Sequence, residues 1–256
     1  MIFYPFQLMP DILALVILVL VGTIAGFLNV TAGGGSTLTL PTLIFLGLDS
    51  TIANGTNRIA ILLQNVAAVQ SFKQENLFDF KTSMMLSLFT FPGAIAGALI
   101  AVELNDNLFQ TILGIVMIGI IISMILPKKK INSVDKNSEP GVVKYFSMLF
   151  IGFYGGFIQV GVGFLLMASL QWIMKLNLVV VNMYKVFIVL VYTIPALTIF
   201  IITDNVHWLF GIFLAIGNAF GGWWGAKVQI KKGEGFIKIV LIVAILIMAL
   251  KLLKLF

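Results

Sequence analysis

Long apolar segments follow one another along almost the whole chain, with few charged residues between them. Of the 256 residues, 60% are hydrophobic and 10% are charged, whereas soluble domains average about 25% charged residues. A globular core cannot hide this much apolar surface, so the hydrocarbon layer of a membrane is the expected solvent. The sequence therefore predicts an all-α polytopic membrane protein.

Two of about ten predicted helical segments are too short to cross a bilayer. At 1.5 Å per residue, about 13 residues cover only about 20 Å of a core about 30 Å thick. The short segments each follow a glycine-rich break, Gly33-Gly34-Gly35 or Gly161-Val162-Gly163. Such a break survives inside a bilayer only when protein or a cavity surrounds it, so both segments are expected to be broken or re-entrant helices. The ten segments are 12–31, 35–48, 50–72, 82–102, 107–126, 143–160, 163–175, 177–203, 206–226 and 235–255.

The segments form two sets of five that share a pattern of glycine, amide and cationic residues. The first set occupies residues 1–127, the second residues 143–256, and a polar linker 128–142 joins them. Because five is odd, the halves enter the membrane from opposite faces, which predicts the inverted repeat common in secondary transporters. Positions recur 124 to 130 residues apart: Gly22, Gly26, Asn29 and Gly33 precede Gly152, Gly156, Gln159 and Gly163, Arg58 precedes Lys185, and Gly93, Gly97 and Ala101 precede Gly217, Gly221 and Gly225.

Lysines between the segments predict the orientation. If the segments alternate in direction, all but two of the loop and tail lysines share one side, and the positive-inside rule makes that side cytoplasmic. Both termini are then expected outside, with Asp49, Glu103, Asp106 and Asp204. The cytoplasmic lysines are Lys73, Lys81, Lys128, Lys129, Lys130, Lys136, Lys144, Lys175, Lys227, Lys231, Lys232 and Lys238, and the two exceptions are Lys251 and Lys254.

The two glycine breaks are candidate anion sites. A short helix that begins at the bilayer midplane presents backbone N–H groups and a partial positive charge, which suit an anion. Polar side chains add donors at both breaks: Asn29, Thr31 and Ser36 at the first, and Gln159 at the second. Glycines can instead serve only to let helices pack closely, and we favour that interpretation for the isolated pairs Gly93 with Gly97 and Gly217 with Gly221.

Two cations form the second candidate constellation, because each lies eight residues into a predicted segment. Arg58 follows Asn57, and Lys185 follows Tyr184. A cation at this depth costs at least about 2.5 kcal/mol on insertion, so it needs a partner or a function. No acidic residue lies comparably deep in the sequence, so we expect an anionic substrate to supply the counter-charge. The alternative is that the long side chains reach the membrane interface.

Further amides follow on the same segment as Arg58. Gln64 and Asn65 lie about two turns beyond Asn57. They are expected to line a polar pathway or, alternatively, to hydrogen-bond across helices.

Motifs for catalysis, cofactors and metals are missing from the sequence. The chain has no cysteine and a single histidine, His207, so thiolate and multi-histidine metal sites are not expected. No acid–base pair occurs within a predicted segment, so we predict neither enzymatic activity nor a cofactor. The net charge of +6 is interpreted as membrane orientation, and no nucleic-acid partner is expected.

Several motifs in order resemble those of a known family. Residues 22–35, GTIAGFLNVTAGGG, resemble the first motif of the TauE/SafE sulfite exporter family, also called the toluene sulfonate uptake permease family. Residues 53–58, ANGTNR, followed by 63–65, LQN, resemble the next motif. The second half is similar at 155–163, at Tyr184-Lys185 and at 217–225.

The resemblance implies a bacterial inner-membrane permease that moves sulfite, sulfonates or related sulfur-containing organic anions. It implies a site built from 29–35, Asn57-Arg58, 159–163 and Tyr184-Lys185. Asn57 is matched by Tyr184 rather than by an amide, so the two half-sites cannot be chemically equivalent.

The expected function is alternating-access transport of a small anion across the inner membrane, in contact with lipid. An anion channel and a non-transport membrane subunit remain alternatives, and homo-oligomerisation is left open. Substrate identity and direction do not follow from a fold or a family.

Overall fold

The regular structure of the chain is helical throughout the described residues. The structure is a computed structural model that describes residues 12–125 and 142–252, and within these ranges it contains no strand, so the all-α prediction is confirmed. The helices are α1 (Ile12–Thr31), α2 (Ser36–Phe45), α3 (Ser50–Gln74), α4 (Phe80–Val102), α5 (Asp106–Ile125), α6 (Val142–Phe157), α7 (Val162–Met174), α8 (Leu178–Ile202) and α9 (Trp208–Leu252). The predicted linker 128–142 lies, except for its last residue, outside the described residues.

Within the described ranges, four helices are long and apolar enough to cross a membrane. They are α1, α4, α8 and the part of α9 from residue 208 to residue 240. The two segments after the glycine breaks are short, because α2 has 10 residues and α7 has 13. At 1.5 Å per residue they extend about 15 and 20 Å, so neither spans a hydrocarbon core alone.

Helix α3 is long but too polar to count among the apolar spans. Most of its residues are nevertheless buried, since α3 packs against α8 and α9. Its polar side chains from Ser50 to Asn65 therefore face protein rather than lipid, which is the condition for a polar helix inside a membrane.

Helix α9 is interrupted at Gly233. This glycine has φ 73° and ψ −168°, a conformation that residues with a Cβ rarely adopt. The predicted segments 206–226 and 235–255 lie on either side of the interruption. The structure delimits nine helices in the residues it describes, so ten separate segments remain a prediction.

Hydrogen bonds identify the two ends of the bundle. At one end, the Ser50 N–H donates to Asp106 Oδ1 at 2.7 Å and the His207 N–H donates to Thr56 Oγ1 at 2.9 Å. These bonds bring together the starts of α3, α5 and α9. At the other end, the Tyr184 hydroxyl donates to Asp79 Oδ2 at 3.0 Å, which joins the starts of α4 and α8.

Glycine pairs bring two pairs of helices into close contact. A Cβ added to any of these glycines would overlap backbone atoms of the facing helix, so only glycine permits the observed approach. The close-packing interpretation of the isolated glycine pairs is confirmed. The facing residues are Gly22 with Leu214, Gly26 with Asn218, Gly217 with Val19 and Gly221 with Thr23 between α1 and α9, and Gly93 with Leu149, Gly97 with Phe153, Gly152 with Thr90 and Gly156 with Ala94 between α4 and α6.

Substituting one of these glycines tests the packing. We expect Gly221→Ala to destabilise the protein by about 1–3 kcal/mol, since the added methyl overpacks the interface of α1 with α9. Gly114→Ala is the matched control, because a Cβ there meets nothing within 4 Å. The measurement is the melting temperature in detergent. Equal melting temperatures for the two variants would contradict the packing role.

Candidate functional site

The two glycine breaks cross each other in direct backbone contact. A Cβ built on Gly33 would lie 2.5 Å from the carbonyl carbon of Gly163, and a Cβ on Gly163 would overlap Gly33. Gly33 has φ 93° and Gly161 has φ 71°, so both turns use conformations that favour glycine. The sequence predicted each break separately, and the structure brings them together.

Tyr154 braces the second break. Its carbonyl accepts from the N–H groups of Ile158 and Gln159 at 3.1 and 3.3 Å, and its hydroxyl donates to the Val160 carbonyl. Gln159 adopts φ 65°, a left-handed conformation that costs about 1–2 kcal/mol in a residue with a Cβ. Tyr154 thus holds Gln159 in a strained turn, a role that no sequence signal indicated.

A small polar cavity lies beside the crossing. Its volume is about 10 Å³, roughly the room that one water needs. Two helices begin at this cavity, because Ser36 is the first residue of α2 and Val162 is the first of α7. Across it, the Asn29 amide donates to Gln64 Oε1 at 3.2 Å. The lining residues are Asn29, Ser36, Ile61, Gln64, Asn65, Gln159, Val162, Gly163, Lys185 and Val189.

Lys185 lines the cavity and caps the C-terminus of α1. Its Nζ donates to the carbonyls of Asn29 and Val30, both at 2.9 Å, and lies 3.7 Å from a methionine sulfur. Asn182, on the same helix, donates to the Thr31 carbonyl at 2.9 Å. Cations and donors stabilise a helix C-terminus because the last carbonyls carry partial negative charge.

Arg58 caps the C-terminus of α6 in the same manner. Its Nη1 donates to the Gly155 carbonyl at 3.1 Å, and its Nη2 donates to the Gly156 and Phe157 carbonyls. The Asn54 amide donates to the Phe157 carbonyl at 2.8 Å. The guanidinium also lies 4.6 Å from the centre of the Phe200 ring, within the range of a cation–π contact.

Neither cation reaches the membrane interface. Arg58 is 0% exposed and Lys185 is 2% exposed, so the alternative in which both side chains extend to lipid headgroups does not hold. Their partners are backbone carbonyls, which the sequence interpretation had not considered. Arg58 does not line the cavity, whereas Lys185 does.

The structure brings some of the predicted site residues together at the cavity and places the others elsewhere. The predicted residues on the lining are Asn29, Ser36, Gln64, Gln159, Gly163 and Lys185, together with Asn65 of the expected polar pathway. Those away from the lining are Thr31, Gly33, Gly34, Gly35, Asn57, Arg58, Gly161 and Tyr184.

Contacts explain several of these placements. The Thr31 hydroxyl donates to the Phe27 carbonyl, and Gly34 packs against the Phe164 ring. Asn57 is 0% exposed, and its amide has no hydrogen-bond partner in the described part of the chain.

Tyr184 faces the end of the bundle rather than the cavity. Its hydroxyl bonds Asp79, which also accepts from the Thr82 N–H at 3.2 Å as the N-cap of α4. The hydrogen bonds from Thr82, with a smaller contribution from Tyr184, lower the pKa of the Asp79 carboxyl below its usual value. Tyr184 therefore links α8 to the start of α4.

The fold and the site together define a polytopic membrane transporter. The buried polar helix α3 packs against apolar helices, and two broken helices meet beside a polar cavity, as in transporters built from discontinuous helices. A sequence model described as Sulfite exporter TauE/SafE matches residues 18–252. The chain therefore belongs to the TauE/SafE sulfite exporter family, and the resemblance noted in its motifs is confirmed.

Proteins named as probable membrane transporters are similar to the chain over nearly their full length. The chain is 26% identical to a probable membrane transporter protein, ORF9, of Sinorhizobium sp, covering 90% of this chain and 88% of the relative. It is 27% identical to the probable membrane transporter protein YunE of Bacillus subtilis, covering 92% and 96%. It is 25% identical to the probable membrane transporter protein YfcA of Escherichia coli, covering 94% and 90%. No solved structure matches the chain.

Removing the arginine cap tests its structural role. We expect Arg58→Met to lower the melting temperature strongly without any ligand, because each buried carbonyl left without a donor costs about 1–3 kcal/mol. Lys238→Met is the control, since Lys238 forms an exposed ion pair with Glu234 at 3.0 Å that contributes about 0.5 kcal/mol or less. An Arg58→Met protein as stable as the control would show that α6 does not need this cap.

Proposed function

We propose that this transporter is a permease for a small anion: sulfite, an organosulfonate or a related sulfur-containing organic anion. The observation that most supports this proposal is the position of Lys185. Its buried ammonium lies on the lining of a cavity whose other polar side chains are neutral. Among the described lining residues none is acidic. The anion would cross the bacterial inner membrane by alternating access, without enzymatic chemistry.

The charge balance at the breaks supports an anionic cargo. The C-terminus of α1 contributes about −0.5 charge and the N-terminus of α2 about +0.5, so the two nearly cancel where they meet. The same holds at the break between α6 and α7. What remains beside the cavity is the formal charge of Lys185. A buried ammonium is costly without a counter-ion, and the cargo would supply one.

Each half of the chain caps a broken helix of the other half, and this reciprocity supports two inverted five-helix repeats, 1–127 and 143–256. Arg58 on α3 caps α6, and its counterpart Lys185 on α8 caps α1. The pairing of α1 with α9 likewise has its counterpart in the pairing of α6 with α4. Each half would then hold the broken helix of the other. Both termini outside is the orientation that the lysine distribution favours.

The size of the cavity favours a transporter over a channel. At about 10 Å³ it is smaller than an anion with three oxygens, so binding requires the surrounding helices to move. A pore that conducts would instead need a continuous wide pathway. We infer that the structure represents a state in which the cavity is closed to both sides of the membrane.

A ligand screen tests the proposal on purified protein. We expect sulfite or one of the sulfonates to raise the melting temperature, because a ligand that binds only the folded state stabilises it by mass action. The panel would include sulfate, thiosulfate and small carboxylates. Stabilisation by none of them would contradict an anion permease.

Neighbouring variants assign the binding to the cavity. We expect Lys185→Met to abolish the ligand-induced shift, since the cavity then has no charge. Tyr184→Phe should keep the shift, because its hydroxyl contacts Asp79 outside the cavity. Counter-transport by wild type in liposomes would identify a transporter, whereas fast conduction without exchange would identify a channel.

A further inference from the structure

We propose that two buried clusters of hydrogen bonds are the gates on either side of the cavity. The outer gate consists of Arg58 and Asn54, which bond the end of α6. The inner gate consists of Asn182, which bonds the end of α1 and Gln229 on α9. This inference rests on the proposed function, and it identifies the contacts that open in turn during alternating access.

The described helices pack into two groups. In the α9 group, α1 and α3 pack along α9, and α2 and α5 lie beside them. In the α4 group, α6 and α8 pack along α4, and α7 lies beside them. The groups meet mainly where α3 lies against α8. The cavity lies at this junction, because α1, α2 and α3 line it from one group and α7 and α8 from the other. A site between two packed groups is the arrangement that rocking can expose to either side.

The outer gate lies between the cavity and one end of the bundle. Helix α3 begins at that end, where Ser50 bonds α5. Asn54 and Arg58 then precede the lining residues Ile61 and Asn65. Steps of four, three and four residues place all four side chains on one face of the helix. A route along this face therefore passes the two donors, which close it by bonding three carbonyls of the α4 group.

The inner gate has the corresponding position on the other side of the cavity. Helix α8 begins at the opposite end of the bundle, where Asp79 marks the start of α4. Asn182 precedes the lining residues Lys185 and Val189 by three and seven residues, again on one helix face. A route along this face therefore passes Asn182.

The bonds of Asn182 cross from the α4 group to the α9 group. Its Nδ2 donates to the Thr31 carbonyl at 2.9 Å and to Gln229 Oε1 at 2.6 Å. A backbone carbonyl can only accept a hydrogen bond, so this contact determines which amide atom of Asn182 faces α1. The bond from Asn54 to the Phe157 carbonyl determines its amide in the same way.

The crossing of the two glycine breaks is suited to be the pivot. Gly33 joins helices of the α9 group and Gly163 belongs to the α4 group, and their backbones are in direct contact. Gly163 also lines the cavity. With no side chain between these backbones, a small rotation of one group against the other can separate one gate while the other stays closed.

Polar gates also suit repeated opening. A buried carbonyl that loses its donor is unfavourable in a dry interior. Water that enters an open gate can bond the freed carbonyls and donors nearly as well as the protein does. The helix ends therefore stay satisfied in both the closed and the open gate.

A single cysteine in the cavity reports which gate opens. The chain contains no cysteine, so Ser36→Cys adds one thiol, on the cavity lining. The full-length protein would be labelled with a membrane-impermeant anionic methanethiosulfonate, from outside in right-side-out vesicles and from inside in inverted vesicles. We expect labelling from both sides, because each gate opens in turn. Labelling from one side only would overturn the proposal.

One variant weakens each gate in the Ser36→Cys background. We expect Asn54→Leu to raise the labelling rate from outside about fivefold, and Asn182→Leu to raise the rate from inside about fivefold. Such a shift corresponds to the loss of about one ordinary hydrogen bond from the closed state. Neither variant should raise the rate from the opposite side. A rise on the wrong side, on both sides or on neither side is incompatible with two separate gates.

Hydrogen bonds within one group provide matched controls. Thr56→Val removes the acceptor for the His207 N–H within the α9 group. Tyr184→Phe removes the donor to Asp79 within the α4 group. We expect both controls to leave the two labelling rates unchanged. Rates that rise as much as in the gate variants would show general loosening of the bundle and would overturn the proposal.

Arg58→Lys and Gln229→Leu test the same gates where a leucine variant at Asn54 or Asn182 fails to fold. We expect each to raise labelling on the side of its own gate, and no such rise would overturn the proposal. The melting-temperature screen separates this inference from the proposed function. Stabilisation by an anion, together with labelling that the gate variants do not change, would overturn the gates alone. Gates that respond as expected, without stabilisation by any anion, would overturn the anionic cargo and support the gates.

Discussion

Two helices end inside the protein, and a buried cation closes each of these ends. The last carbonyls of a helix have no partner within it, and hydrocarbon offers no water to replace one. Lys185 with Asn182 supplies donors to α1, and Arg58 with Asn54 supplies them to α6. The glycine breaks depend on these caps, and the cavity between the breaks depends on both.

The caps also determine which helices lie inside. Donors that reach a carbonyl in mid-bundle must come from helices surrounded by protein, so α3 and α8 are buried along most of their length. The apolar helices α1, α4 and α9 then present side chains such as Leu20, Leu99 and Ile216 outward. In lipid this outer surface costs nothing, because close packing rather than hydrophobic burial holds the helices together. The glycine contacts of α1 with α9 and of α4 with α6 supply that packing.

Sequence reasoning found the elements of the site but not all of their partners. Short apolar segments after glycines, deep cations and repeated glycine pairs are all visible in the residue order. The residue order does not show which backbone carbonyls a cation will meet, because every residue has one. A partner for the two cations was therefore expected only among side chains and cargo. Tyr184 was grouped with Lys185 by sequence, although consecutive residues of a helix point about 100° apart. Ile61 and Val189 gave no signal, since apolar residues are common everywhere in this chain.

Arginine at one cap and lysine at the other have different surroundings. The guanidinium has a planar fork with five donors, and in Arg58 it spans three carbonyls and stacks on Phe200. Both terminal nitrogens of this group are bonded to protein, whereas its Nε has no hydrogen-bond partner among the described residues. The ammonium of Lys185 is compact, bonds two carbonyls and still lines the cavity. Both residues cap a helix that ends inside the protein, but of the two only Lys185 places a formal charge on the lining of the cavity.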